Sequence, residues 1–309
     1  MEKYTNILVI IDPAADDQKA LKRAIELAER TGSKLTAFLS IFDFSYEMTT
    51  MLSSDEREVM RLSVINAREQ WLDNLVSQIP HKNVNITSKV VWHNRPFEAI
   101  INTVIDEKYD LVIKATHQHD KLKSVIFTPT DWHILRKCPC PVLLVKEHNW
   151  PENGNILSAV NIGSDEPEHQ SLNRKITETA KELAEVIHAN VHLVNSYPGT
   201  PVNIAIEIPE FDASLYNDSM RDNHLEAMAE HAKSFNIDED CTYVNEGLPE
   251  TVIETMSQEL DAELVILGTI GRTGLSAALI GNTAEHVIDN LNCDVLALKP
   301  DGYISPFER

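Results

Sequence analysis

Glycine is scarce in this chain, with ten in 309 residues, and four of the ten fall within residues 268–281. Backbone freedom is therefore concentrated in one stretch and nearly absent elsewhere. Basic residues are also few: 27 Lys and Arg stand against 48 Asp and Glu, for a formal charge of −21. That balance excludes non-specific binding to nucleic acid or to an anionic membrane, both of which need a basic surface, and favours solubility. Cysteine occurs four times, at Cys138, Cys140, Cys241 and Cys293, with no C-x-x-C pair. No disulfide framework is expected in a chain of this size, and Cys140 and Cys293, each leading into an apolar strand, read as core. No apolar run approaches ~18 residues, and Met1-Glu2-Lys3-Tyr4 runs straight into a first strand without the pattern of a signal peptide. A cytoplasmic protein is the expectation.

What is present is ordinary globular composition, 43% hydrophobic and 24% charged, over a length that suits two domains. Asn6-Ile7-Leu8-Val9-Ile10-Ile11 is a nearly continuous apolar run that stops at Asp12-Pro13. Leu21, Ala24, Ile25 and Ala28 then recur at helical spacing, with Gly32 placed to close the helix. Strands over Lys34–Ile41, Val84–Val91, Leu111–Ile113 and Val142–Val145 follow. They alternate with helices over Asp55–Ile79, through Phe97–Val104, and near Thr130–Lys137. Five short buried strands alternating with helices predict a parallel sheet covered on both faces. Residues 149–154 punctuate the chain as a linker. Beyond them the programme restarts with Asn155–Val160, a helix carrying Leu172, Ile176, Ala180 and Leu183, and the strand Val191–Val194. A later helix shows a stripe of Leu225, Met228, Ala229 and Ala232, with His224 and His231 read as surface residues beside it.

The repeat can be counted. Sliding Leu111–Lys146 onto Leu264–Lys299 needs no gap, and 11 of 36 positions are identical, among them Thr116/Thr269, His133/His286, Cys140/Cys293 and Val142/Val295. The same offset lands Pro96 on Pro249, while at the first strand a slightly shorter offset places Asp12 on Asn161. The chain thus reads as two copies of one α/β domain, 1–148 and 155–309, joined by 149–154. The copies differ after their second strand. Tyr197–Tyr216 is a segment of roughly 20 residues that reads as irregular, the kind of length that marks either a binding loop or a segment packed on the surface.

The glycine stretch lies between Ala262–Leu267, a strand buried on both faces, and a helix over Thr283–Leu291. A strand, a broken loop and a helix start make a candidate anion cradle, because unpaired backbone N–H groups point outward there. It is neither G-x-x-x-x-G-K-[ST] nor G-x-G-x-x-G. Its pattern is Gly268-x2-Gly271-x9-Gly281, and with two α/β repeats in register the chain resembles the universal stress protein family across essentially its whole length. The resemblance implies two tandem, open, mostly parallel five-stranded Rossmann-like domains of strand order 3-2-1-4-5. It also implies a non-catalytic stress-response role, with an acidic residue after the first strand contacting a nucleoside and the glycine loop wrapping its phosphates. Gly268, Gly271 and Gly281 match that pattern. Asn161 stands where the family has Asp, and Asn282 where it has Ser or Thr. Val194 and Leu267 join Asn161, Gly268, Gly271, Arg272, Gly281, Asn282 and Thr283 as candidate ligand residues, with ATP or AMP the implied cofactor. Asn161 loses a charge-assisted acceptor, about 1.5–3 kcal/mol against ~1 for a neutral bond, or roughly tenfold in affinity.

Several of these residues have a structural alternative. Asn282-x-x-Glu285 has capping-box spacing, so the amide either caps its own helix or touches ligand. Arg272 either reaches a phosphate or is an ordinary loop residue. In the first copy the glycines are gone: Ala115, Gln118, Thr128 and Pro129 align with Gly268, Gly271, Gly281 and Asn282, and Pro129 has no N–H to donate. Asp12 is the one family feature kept, and nucleotide binding there is not expected. His117, His119, His133 and Asp120 lack the pattern of a structural zinc site, and no metal is expected. No nucleophile–base pair or paired-carboxylate motif is evident, so no enzyme signature emerges. Rival functional readings are an ATP or AMP sensor and a scaffold or carrier of a non-nucleotide, apolar ligand. Family members often dimerise through the fifth strand. Val142–Val145 and Val295–Leu298 are therefore expected to pair within one chain, protecting both sheet edges and leaving a monomer.

Overall fold

The computed structural model describes residues 4–47, 52–118, 125–126, 128–146, 149–200, 212–269 and 282–308. The chain divides into two compact units. The first comprises Met1–His117, Phe127–Lys146 and Ile304–Arg309; the second comprises Gln118–Ile126 and Glu147–Tyr303.

In the first unit the elements run β1 (Asn6–Ile10), α1 (Lys19–Thr31), β2 (Lys34–Ile41), α2 (Phe44–Glu47), α3 (Ser54–Gln78), β3 (Ile86–Trp92), α4 (Pro96–Glu107), β4 (Leu111–Ala115), then the two-residue strands β5 (His117–Gln118) and β6 (Val125–Ile126, counted with the second unit), α5 (Pro129–Lys137) and β7 (Val142–Val145). Its sheet has the order β3-β2-β1-β4-β7, parallel throughout. β7 and most of β1 are buried, as are Leu111, Val112 and Ile113 of β4 before Lys114, which matches the apolar runs of a parallel sheet covered on both faces. Gly32 ends α1 in the left-handed region at φ 75°, its N–H donating to the Ala28 carbonyl. A capping box of Ser53 and Glu56 starts α3. The C-terminal residues belong to this unit: the buried Ser305 hydroxyl donates to the Lys137 carbonyl at 2.7 Å, and Phe307 meets Phe97 edge-on.

The second unit repeats the plan with β8 (Asn155–Ala159), α6 (Pro167–Ile187), β9 (Asn190–Tyr197), α7 (Ala213–Ser234), β10 (Thr242–Glu246), α8 (Pro249–Glu259), β11 (Leu264–Gly268), α9 (Asn282–Asn290) and β12 (Asp294–Leu298). Its order is β10-β9-β8-β11-β12, again all parallel. Both sheets have the expected 3-2-1-4-5 order. Two repeated residues now have a structural reason. Thr116 and Thr269 each follow the fourth strand of their sheet and donate both N–H and hydroxyl to the last carbonyl of the fifth, Val145 or Leu298.

Some boundaries differ from the sequence reading. The strand expected at Val84–Val91 is Ile86–Trp92, and the segment read as irregular over Tyr197–Tyr216 begins inside β9 and ends inside α7; residues 201–211 lie outside the described ones. The stripe on α7 is also rotated. Leu225 is exposed, whereas His224, Met228 and Ala232 form the buried face. Among the described residues, no helix is long and apolar enough to cross a membrane.

Candidate ligand site

In a doubly wound sheet the ligand position lies beyond the carboxyl ends of the strands, where the order reverses. In each unit that point falls between the first and fourth strands. In the first unit it is taken up by the chain itself. Thr128 caps α5, and Asp131 at the third helical position accepts from both the N–H and the hydroxyl of Thr128, at 2.7 and 2.8 Å. Asp131 is wholly buried, and its other oxygen lies 2.7 Å from the Lys114 ammonium, which reaches over from β4. An anion therefore already sits at this helix N-terminus, with a cation beside it. Pro129 is the first helical residue, where its missing N–H costs nothing. Asp12, the retained acidic residue, closes a turn on its own backbone by accepting from the Ala14 N–H at 2.9 Å, and Gln18 donates to the Asp12 carbonyl. Ala115 ends β4; Gln118 lies in β5, its side chain outside the described residues.

The second unit aligns Leu267 with Lys114 and Ala284 with Asp131. Both are buried and apolar, so the internal ion pair of the first unit has no counterpart at these two positions. Asn161 follows β8, Val194 lies in β9 beside it, and Leu267 and Gly268 end β11 on its other side. The structure thus brings four of the expected residues to one end of three adjacent strands. Gly271, Arg272 and Gly281 lie outside the described residues. Asn282 and Thr283 open α9, but their side chains are not described, so both readings of Asn282 stand outside it. Gly268 has a packing reason of its own: a Cβ there would come 2.2 Å from Cδ2 of the buried Leu172 in α6.

The loop carrying Asn161 is held by a buried polar network that the sequence did not reveal. Asn173 of α6 accepts from the Asn161 N–H and donates to its carbonyl, each at 2.8 Å. Asn195 of β9 accepts from the Ile162 N–H and donates to Nδ1 of His224 at 2.8 Å, which fixes the His224 proton on Nε2. His224 then packs on Gly163, where any Cβ would fall 2.2 Å from the ring. Thr177 donates to the Asn173 carbonyl, so His231 Nε2 donates to the Thr177 hydroxyl at 2.8 Å. His224 and His231 are thus members of this network and not surface residues. Burial pushes both imidazoles below their ordinary range, with Arg174 adding to the shift at His231. A polar residue inside an apolar strand, Asn195, and one inside an apolar helix stripe, Asn173, were the available signals.

The Asn161 amide donates to Nδ1 of His169 at 3.1 Å, while Nε2 of His169 faces Glu166 at 3.4 Å. This leaves the side-chain carbonyl oxygen as the remaining acceptor of the Asn161 amide. The electrostatics are therefore those of a neutral amide acceptor next to apolar strand ends. Among the described residues no group of three or more His, Cys, Asp or Glu could hold a metal. His133 instead stacks on Phe97 with ring centroids 4.1 Å apart; His119 and Asp120 lie outside the described residues.

The model of the Universal stress protein family matches residues 3–146 and again 153–299. Universal stress protein E of Escherichia coli K12 is 56% identical over 309 residues, covering 100% of this chain and 98% of that protein. The universal stress protein E homolog of Haemophilus influenzae is 46% identical, covering 96% and 98%. Among solved structures, a functionally unknown protein, PA1789, from Pseudomonas aeruginosa PAO1 has a TM-score of 0.72 at 30% identity, covering 96% of this chain and 93% of that one. The family model matches twice in tandem, each time over a 3-2-1-4-5 sheet: the chain belongs to the universal stress protein family.

Proposed function

We propose that this is a non-catalytic, cytoplasmic stress-response protein that binds one ligand per chain, in the second unit, while its first unit is structural. The observation that carries the proposal is the difference between the two repeats at the same point of the same sheet. Asp131 and Lys114 fill the anion position of the first unit with the chain's own charges. Leu267 and Ala284 leave it without them in the second, where three glycines of the family pattern are retained. An adenine nucleotide, ATP or AMP, is the ligand class to test first, with its phosphates toward Gly271 and Gly281 and a ribose hydroxyl donating to Asn161. Calorimetry with ATP on the wild-type protein and on Gly281→Val tests this. Binding by the wild type alone supports it, and silence from both at millimolar ATP overturns the nucleotide assignment.

A second reading is favoured by the substitutions themselves. Asn161 in place of the family Asp, and Asn282 in place of Ser or Thr, both weaken recognition of a nucleotide and suit a less polar ligand or a scaffold role. Mass spectrometry of an organic extract of the purified protein would identify such a ligand. The protein is proposed to be monomeric, on the strand pairing expected from the sequence; light scattering that returned a clean dimer of chains would overturn that.

A further inference from the structure

The first unit holds two thiols that neither its fold nor the ligand cleft accounts for. The sequence Cys138-Pro139-Cys140-Pro141 places a proline after each cysteine. A residue before proline is driven out of the helical region toward extended backbone, and Cys138 stands at φ −68°, ψ 132°. In extended chain, side chains two residues apart lie on the same face. The two Sγ atoms accordingly lie 3.5 Å apart, in thiol–thiol hydrogen-bond contact. Both cysteines are buried and neither is in a disulfide.

Packing does not require this pair. The second unit repeats the position with Cys293 opposite Cys140 but Leu291 opposite Cys138, and Leu291 is buried as fully. A hydrocarbon thus fills the equivalent place in the same fold, and the second sulfur is particular to the first unit. Paired thiols without a disulfide partner elsewhere, in a chain with the composition of a protein of a reducing compartment, match a transient redox couple better than a structural bridge.

We propose that Cys138 and Cys140 form a two-electron redox site, oxidised by hydrogen peroxide to an intramolecular disulfide. One thiol, losing its proton, attacks a peroxide oxygen. The O–O bond breaks, the departing hydroxide takes up that proton as water, and a sulfenic acid remains. The second sulfur then attacks the sulfenic sulfur. The S–O bond breaks, the hydroxyl leaves as water with the second thiol proton, and the S–S bond forms. Two thiols and one peroxide become one disulfide and two waters, the sulfur atoms losing two electrons that the peroxide oxygens gain. The hydrogen bond from Cys138, burial and the Asp110 carboxylate push the Cys140 thiol upward, which slows its attack on peroxide, while the burial of both sulfurs admits a small oxidant in preference to bulky reagents.

The test uses the intact protein. It is exposed to hydrogen peroxide under native conditions, denatured in a maleimide, digested with trypsin and mapped by mass spectrometry. Both cysteines lie between Lys137 and Lys146, within one tryptic peptide. The expected product is that peptide lighter by two hydrogens and unlabelled, restored to two labels by dithiothreitol, in wild type and in Cys241→Ser alike. Cys138→Leu, which copies the second unit, gives no such species. Wild-type protein whose Cys138 and Cys140 both stay maleimide-reactive after peroxide, or pass to sulfinic acids without the disulfide, overturns the proposal.

Discussion

Asp131 and Lys114 occupy in the first unit the place where a ligand anion would bind, and the cost of removing them should show it. Asp131→Ala strips the cap from Thr128 and leaves the Lys114 ammonium without its buried counter-charge. Loss of one partner of a buried pair costs about 3–5 kcal/mol. Adding Lys114→Leu copies Leu267 and Ala284 of the second unit, and should recover a large part of that loss. Urea unfolding of the two single variants and the double one measures both effects, and a single variant within about 1 kcal/mol of wild type would show the pair to be inert. Gly268 gives a second residue-level prediction. Gly268→Ala should cost about 1–3 kcal/mol by overpacking against Leu172, and Leu172→Ala in the same chain should relieve the clash. A Gly268→Ala loss of the same size in the Leu172→Ala background, measured against Leu172→Ala alone, would place the strain elsewhere. At this scale the sequence was least legible. Gly268 was read for its ligand, yet its demand for a bare Cα comes from a side chain 96 residues away in the chain (268 − 172). Thr128, which the sequence shows only as the counterpart of Gly281, is an N-cap, because the residue three positions on is a buried Asp.

Helices and strands were far more legible than individual side chains. Apolar strand runs, helix-spaced stripes, Gly32 and the prolines that open α4, α5 and α8 all carry local signals, and the elements stand where those signals put them. One exception is α7. A periodicity count admits Leu225 and Ala229 to the stripe and leaves out His224, because it cannot see that Asn195 waits in β9 to satisfy the imidazole. That buried polar face makes stability pH-dependent. His192, His224 and His231 of the second unit and His133 of the first are all held below 6.5, chiefly by burial. Their unfolded forms bind more protons than their folded forms once the pH falls below that value. The stability they contribute is complete above 6.5 and is lost as pH falls through the folded values. The urea midpoint should therefore drop between about pH 7.5 and about pH 5, and His224→Gln should shrink the drop. A midpoint that stayed level over this range would contradict the assignment.

For the molecule as a whole, two copies of one domain have diverged in opposite directions. The first has turned its anion position into an internal ion pair and its loop cysteines into a dithiol; the second has kept its glycines and built a neutral polar network under the loop that follows β8. The repeat, the sheet order and the family were all written in the chain, because they rest on many residues at once. The proposal that the second unit holds a ligand rests on two buried positions, 114/267 and 131/284, whose meaning needs three dimensions. The most direct test is native mass spectrometry of the protein as purified, beside Gly281→Val. One small molecule per chain on the wild type, absent from Gly281→Val, is the predicted result. A wild-type protein that carries none, or a bound molecule that survives Gly281→Val undiminished, would contradict a ligand cleft in the second unit.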